Sequence, residues 1–164
     1  IMSIFRNKKI KNLIINILEF KKIYGLQSEL FFNPAGAPGY RAHQDDFFLS
    51  TGRNNSSNLW IPLVKTNKKN GTLFFHLRSH KLPIKKKINI KNLNGSEKNK
   101  NLMKYRKINC NCSLGDAILI SNHIFHGSNK NKSKKNRYVL ALGYINNVKK
   151  FRSGETAKRK PFSI

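Results

Sequence analysis

Acidic residues are scarce in this chain of 164 residues. Seven Asp and Glu stand against 33 Lys and Arg, which gives a formal net charge of +26. Such an excess of positive charge attracts polyanions in general. The lysines are not accompanied, however, by an arginine-rich or aromatic-interleaved motif of the kind that nucleic-acid-binding proteins use. Lys, Asn and Ile are abundant together, which is typical of AT-rich coding sequences, so nucleic-acid binding is not the favoured interpretation.

Cysteine and long apolar runs are also rare. Cys110 and Cys112 are the two cysteines. They cannot complete a tetrahedral zinc site alone, so we expect free thiols, a reducing compartment and a cytoplasmic location. Lys9 and Lys11 interrupt the apolar N-terminal stretch. No segment reaches the roughly 18 apolar residues of a membrane span, so we predict neither a signal peptide nor a transmembrane segment. The chain begins with Ile rather than Met, which would suit a fragment whose true start lies upstream.

What is present is typical of one folded domain over residues 1–164. Apolar residues make up 38% of the chain and include eleven Phe, enough for a single core. Apolar residues at helical spacing predict an amphipathic helix over residues 3–22. From Glu29 onward, short apolar or alternating runs separated by turn residues predict a β-rich core.

Three connecting segments carry further expectations. The Asn-Gly pair at 70–71 lies between two apolar runs and is a strong hairpin signal, so the strands around Trp60 and Leu73 are predicted to pair. Residues 84–109 are rich in Lys and Asn and are interpreted as a basic surface insertion, either without a role or acting as a lid. Residues 149–164 are interpreted as a basic tail.

His43 and Asp45 are the first candidates for a metal site. In an extended segment, side chains two residues apart project to the same face, so the imidazole and the carboxylate would lie side by side. A third ligand from a distant strand would complete the two-histidine, one-carboxylate triad that holds non-haem Fe(II). The segment "SNHIFHGS" offers His123 and His126 for this position.

Arg137 is the candidate for binding an anion. It opens the otherwise apolar run "RYVLALGYI". A charge that points into the interior from such a strand needs a partner, although the residue could also lie at a solvated strand end. Arginine matches a carboxylate bidentately, so Arg137 is suited to the distal carboxylate of 2-oxoglutarate.

Several segments, in this order, resemble the phytanoyl-CoA dioxygenase family of Fe(II)- and 2-oxoglutarate-dependent oxygenases. The matching segments are "HQD" at 43–45, "W" at 60, "NGTLFFHLRSHK" at 70–81, "GD" at 115–116, "HGSNKNKS" at 126–133 and Arg137. The resemblance implies a mainly β fold with flanking helices, the double-stranded β-helix or jelly-roll, cupin-like barrel.

The resemblance also implies roles for six positions. They are the iron ligands His43, Asp45 and His126, and the cosubstrate contacts Arg137, Ser128 and Trp60. Trp60 could equally be a large core aromatic. The Gly-Ser that follows His126 and its distance from Arg137 favour His126 over His123, which would lie at the surface or behind a ligand.

The implied activity is a hydroxylation. Fe(II), 2-oxoglutarate and molecular oxygen would act on a small organic substrate, with decarboxylation of 2-oxoglutarate to succinate. Asp45 favours a hydroxylase, because halogenating relatives have a small residue at that position. The positive charge is compatible with an anionic substrate, such as an acyl-CoA or a carboxylic acid. The alternatives are an inactive basic jelly-roll module that binds a polyanion, and a cupin-like metal enzyme that does not use 2-oxoglutarate.

The chain departs from the family pattern at two places. Arg78 stands where the family usually has glycine, which puts the shape of that loop in doubt; for the neighbouring His80 we expect a structural hydrogen bond. Most of the longer N-terminal region of the family, which contributes helices and a substrate wall, is missing from this sequence.

Overall fold

The computed structural model describes residues 1–84, 102–148 and 159–164. In these residues seven strands form two antiparallel sheets, and the fold is a double-stranded β-helix with open sheets. The strands are β1 (Tyr24–Asn33), β2 (Ser56–Pro62), β3 (Leu73–His76), β4 (Lys107–Cys110), β5 (Ile118–Ser121), β6 (His126–Ser128) and β7 (Arg137–Ile145). The order is β1-β7-β2-β5 in one sheet and β4-β3-β6 in the other. The jelly-roll prediction is confirmed.

The central strand β7 is almost entirely buried because both of its faces are covered. Leu140, Leu142 and Tyr144 face outward and pack beneath the N-terminal helices. Val139 faces inward and belongs to the core between the sheets, together with Trp60. Burial on both faces explains why the run "RYVLALGYI" is continuously apolar rather than alternating.

Two helices cover the outer face of the larger sheet, α1 (Met2–Phe5) and α2 (Lys8–Leu18). The sequence predicted one helix over 3–22. The chain instead breaks at Asn7, whose side chain accepts a hydrogen bond of 3.2 Å from the Ile10 backbone N–H and so caps α2. No helix in the described ranges is long and apolar enough to cross a membrane.

The predicted pairing of β2 with β3 is wrong. Both edges of β2 are already occupied, by β7 on one side and by β5 on the other. The Asn-Gly turn does form, since the Asn67 carbonyl accepts hydrogen bonds from the Asn70 and Thr72 N–H groups at 3.2 and 3.0 Å. It turns the chain from one sheet into the other instead of closing a hairpin.

The structure describes only parts of the two basic segments. Of the predicted insertion at 84–109, residues 85–101 lie outside the described residues, and the stretch after them forms a short 3₁₀ turn and then β4. Of the predicted tail, residues 149–158 lie outside them as well. Its last residues dock on the fold: Phe162 and Gly25 exchange two backbone hydrogen bonds of 2.9 and 3.0 Å, and the Phe162 ring packs against the core beside α1.

Candidate metal and cosubstrate site

Three donor side chains from distant parts of the sequence converge in one place. The Nε2 atoms of His43 and His126 lie 3.3 and 3.4 Å from Oδ1 of Asp45, and the three donor atoms all lie within 4.8 Å of one another. Two imidazoles and one carboxylate are the donor set of the facial triad that binds non-haem Fe(II).

The two histidines are brought together by the backbone. His43 and His126 form an isolated antiparallel bridge, with N–H to carbonyl hydrogen bonds of 2.9 and 3.0 Å in the two directions. Asp45 is not extended, contrary to the reasoning from sequence. It has helical dihedral angles of −60° and −32° and precedes the short helix α3 (Asp46–Leu49). The carboxylate therefore reaches the histidines from the start of a helix and not from the same strand face.

Hydrogen bonds fix the orientation of each of the three side chains. Nδ1 of His43 lies 2.7 Å from the Arg41 carbonyl, and Nδ1 of His126 lies 3.0 Å from the Ile124 carbonyl. Each Nδ1 must be the protonated nitrogen to donate there, which leaves the Nε2 lone pairs for a metal. The Asn58 side-chain amide donates to Oδ2 of Asp45 at 2.6 Å, which leaves Oδ1 facing the histidines.

The charges of the three groups suit a cation. Burial opposes ionisation of Asp45, but the neighbouring imidazoles and the hydrogen bonds from His43 and Asn58 lower its pKa to about 2. Burial lowers the pKa of His126, so its imidazole is neutral at neutral pH. Burial also disfavours a proton on His43, yet the contact with Asp45 raises the pKa of His43 above its usual value. A proton on Nε2 of His43 would therefore compete with a metal for that atom.

Arg137 lies at another part of the same cavity. Only 1% of its surface is exposed, and its buried Nε has no hydrogen-bond partner in the described part of the chain. Its guanidinium carbon is 6.0 Å from the centroid of the Trp60 ring. Ser128 lines the cavity as well, and its Oγ accepts a hydrogen bond of 3.0 Å from the Tyr40 N–H. A buried cation without a partner fits an anionic ligand such as a carboxylate.

All six residues singled out from the sequence line one cavity of about 560 Å³. A volume of this size is within the range of small-molecule sites, roughly 300–1,000 Å³. The sequence reasoning missed Asn58, which orients Asp45, and Tyr40, which holds Ser128. Asn58 had a usable signal, because it precedes Trp60 by two residues and so projects from the same face of β2.

The other histidines of the motif region lie elsewhere. His123 is 2% exposed and is not at the surface; its Nε2 lies 3.5 Å from Oδ2 of Asp46, behind the metal ligands. The His80 side chain is exposed, and the hydrogen bond at this residue is made by its carbonyl, which accepts from Arg53 at 2.9 Å. Arg78 adopts a left-handed φ of 65°, the conformation for which glycine is favoured.

Solved structures share this fold at low sequence identity. The non-heme alpha ketoglutarate dependent epimerase SnoN from nogalamycin biosynthesis matches with a TM-score of 0.74 and 15% identity, over 88% of this chain and 57% of that one. The same epimerase in complex with Fe3+, alpha ketoglutarate and nogalamycin RO matches with a TM-score of 0.77 and 13% identity, over 99% and 70% of the two chains. EctD from S. alaskensis matches with a TM-score of 0.70 and 19% identity, over 92% and 54%.

The chain therefore spans little more than half the length of the first of these structures. Among curated proteins no sequence matches this chain. The family model "Phytanoyl-CoA dioxygenase (PhyH)" matches residues 2–139. Because this match covers most of the sequence, including all three donor residues, the chain belongs to the phytanoyl-CoA dioxygenase family.

Proposed function

We propose that this chain is an Fe(II)- and 2-oxoglutarate-dependent oxygenase that hydroxylates a small organic substrate. The observation that carries the proposal is the convergence of the His43, Asp45 and His126 donor atoms in the cavity that also contains Arg137, whose buried Nε has no hydrogen-bond partner among the described residues. Fe(II) and 2-oxoglutarate are the cofactors of the family. The three donor atoms fit Fe(II), and the Arg137 guanidinium fits a carboxylate of 2-oxoglutarate.

The chain's own residues would hold the metal through donor atoms whose orientation is already fixed. His43 and His126 offer Nε2 because their Nδ1 protons are engaged by backbone carbonyls. Asp45 offers one oxygen because Asn58 engages the other. When bound, Fe(II) with 2-oxoglutarate and molecular oxygen supplies the oxidising power that cleaves a substrate C–H bond. Three protein donors leave the remaining iron positions for ligands that are not part of the protein.

Arg137 and Ser128 would bind the distal carboxylate of 2-oxoglutarate. The guanidinium supplies a planar pair of donors, and the buried surroundings strengthen the ion pair because water does not screen it. The Tyr40 backbone N–H holds the Ser128 oxygen and leaves the hydroxyl proton for the ligand. Trp60 lies beside the Arg137 guanidinium and forms part of the wall that restricts its movement.

Hydroxylation is favoured over halogenation by Asp45. A carboxylate among the iron ligands occupies the position at which a halide would bind in halogenating relatives. Similar structures include an epimerase and a carbocyclase, so the fold is compatible with several oxidative outcomes. A small-molecule substrate agrees with the size of the cavity.

Replacing Asp45 by Gly should abolish hydroxylation, and intact turnover in that variant would exclude Asp45 as a ligand.

The first test is a spectroscopic titration without oxygen. Fe(II) and then 2-oxoglutarate are added to the purified protein, and the visible charge-transfer band of the chelated complex is recorded. The band is expected in the wild type and in His80→Ala, which removes an exposed imidazole outside the cavity. It should be absent in His43→Ala. A wild-type protein that gives no band at saturating metal would overturn the proposal.

Arg137→Ala separates this proposal from a metal enzyme that does not use 2-oxoglutarate. The variant should keep its iron and lose the 2-oxoglutarate band, because the distal carboxylate would have no cation to pair with. Equal 2-oxoglutarate affinity in both proteins would favour the other enzyme class.

The inactive polyanion-binding module is not favoured, since the chain belongs to an enzyme family and its three donors are assembled. Salt-sensitive nucleic-acid binding without iron uptake would support it.

A further inference from the structure

Glu29 is an acidic side chain in the cavity that the proposed function does not use. It lies on β1, where alternate residues point to opposite sides of the sheet. Gln27, Glu29 and Phe31 line the cavity, whereas Leu30 and Phe32 on the other face are exposed. With only seven acidic residues in the chain, a carboxylate inside the cavity is an unusual choice for this sequence.

The Glu29 carboxylate has no partner of its own. No hydrogen bond or ion pair links it to another residue in the ranges that the structure describes. Burial raises its pKa; the Arg159 guanidinium opposes this shift and the Asp45 carboxylate adds to it. Arg159 itself donates to the side chain of Gln27 and to the Phe48 carbonyl. A half-buried carboxylate without a hydrogen-bond donor is stabilised when a cation or a hydrogen-bond donor approaches it.

The register of the sheet places Glu29 away from the cosubstrate end. On β7, Glu29 is paired with Ala141, whereas Arg137 is paired with Asn33 at the far end of β1. Four residues of antiparallel strand separate the two positions, a distance of roughly 14 Å. The same register continues through Ala141 to Trp60 on β2, so Glu29 lies level with Trp60, two strands away from it, and apart from Arg137. A molecule held by Arg137 would therefore leave Glu29 to another ligand.

Aromatic residues line the same cavity as this carboxylate. Phe31 and Tyr40 line the cavity with ring centroids 5.9 Å apart, and Phe47 and Phe48 line it with centroids 5.0 Å apart. Aromatic faces attract cations through their quadrupole, and the attraction grows when the site excludes water. An unpaired carboxylate and several aromatic rings in one cavity form a combination suited to a positively charged nitrogen.

We infer that Glu29 is a specificity-determining residue that binds a protonated amine of the substrate in this cavity. The inference rests on the proposed function and adds the class of substrate, a small organic molecule with a cationic nitrogen. It runs against the anionic substrate suggested by the net charge, and Arg41, Arg137 and Arg159 also line the cavity, so the charge preference of the site has to be measured directly.

The test compares three probes of similar shape and different charge. Benzylammonium, neutral benzyl alcohol and benzoate are titrated by calorimetry at neutral pH into the Fe(II) and 2-oxoglutarate-loaded protein without oxygen, and also into the metal-free protein. Benzylammonium should bind at least about tenfold more tightly than benzyl alcohol, as a charge-assisted hydrogen bond provides. Glu29→Gln should reduce this ratio to near one and leave the affinity for benzyl alcohol unchanged. Glu19→Gln removes the same charge from an exposed position at the end of α2 and should preserve the ratio.

Three results would overturn the inference. They are equal affinity for benzylammonium and benzyl alcohol in the wild type, a ratio unchanged by Glu29→Gln, and a preference for benzoate. The last result would mean that a cavity cation such as Arg159 dominates recognition. The charge-transfer band tests the proposed function separately. A wild-type protein that shows the band without the ammonium preference retains the function and loses this inference, and the metal-free titration reports on Glu29 even where the band does not form.

Discussion

At the scale of single residues, the candidate site depends on hydrogen bonds to atoms that do not face the metal. The histidines are fixed through Nδ1 and the carboxylate through Oδ2. Backbone carbonyls serve the two histidines and cannot be removed by substitution. Asn58 is the partner that mutagenesis can test, since it is a side chain and does not belong to the donor set.

Replacing Asn58 by Ala should weaken Fe(II) binding by about tenfold to a hundredfold. Without the 2.6 Å hydrogen bond the Asp45 carboxylate can rotate, so the donor arrangement is no longer fixed before the metal binds. The dissociation constant is measured by anaerobic calorimetry. Asn12→Ala, on the exposed face of α2, serves as the control and should bind like the wild type. Unchanged affinity in Asn58→Ala would show that Asp45 is held by other contacts.

The sequence predicted the members of the site better than their backbone conformations. All six predicted residues line one cavity, because motif order reflects which side chains a fold brings together. The reasoning for His43 and Asp45 assumed an extended segment, whereas Asp45 has helical dihedral angles and precedes α3. The left-handed φ of Arg78 could be foreseen from the glycine that the family usually has there.

At the scale of secondary-structure elements, the last described residues act as part of the core. Phe162 forms an isolated antiparallel bridge with Gly25 of β1 and packs its ring against Phe5 at 5.1 Å between centroids. The contact requires a glycine at position 25, because a Cβ there would lie 2.2 Å from Cζ of Phe162. The basic composition of the preceding residues gave no indication of this docking, which depends on a single aromatic side chain.

Gly25→Ala should therefore destabilise the protein by about 1–3 kcal/mol, the usual cost of overpacking. The free energy of unfolding is measured by chemical denaturation. In a Phe162→Ala background the same substitution should cost close to nothing, because the ring that the Cβ meets is gone. An equal cost in both backgrounds would mean that Gly25 is needed for a reason other than the Phe162 contact.

Strand pairing was the level at which sequence reasoning failed most clearly. The Asn-Gly signal is local, whereas the choice of partner for β2 depends on which edges are free in the assembled sheet. β5 and β7 lie far along the chain from β2, so no local signal contains this information. The apolar runs that form β2, β3 and β7 could be recognised from the sequence without knowing which strands pair.

At the scale of the whole molecule, the dominant feature is the imbalance of charge. A net charge of +26 on 164 residues means that the folded state carries strong self-repulsion. The cavity carries charges of both signs, since Glu29 and Asp45 line it together with Arg41, Arg137 and Arg159.

The thermal midpoint of unfolding should accordingly rise by roughly a few degrees between 10 and 150 mM NaCl. Salt screens repulsion that is stronger in the compact state than in the expanded chain. Most of the increase should occur below about 0.15 M, where the Debye length falls to about 8 Å. A midpoint that is flat or falls over this interval would show that the positive charges are too dispersed to affect stability.

The reciprocal backbone bridge between His43 and His126 has a consequence for folding. His43 lies between β1 and β2 and His126 begins β6, so their contact forms only when the chain between them has folded back. A metal ion held by both would tie together two residues that lie far apart in the sequence. Because it would bind the native state alone, free metal at a hundred times its dissociation constant would add about 2.7 kcal/mol of stability, so removing the metal should bring this basic protein closer to unfolding.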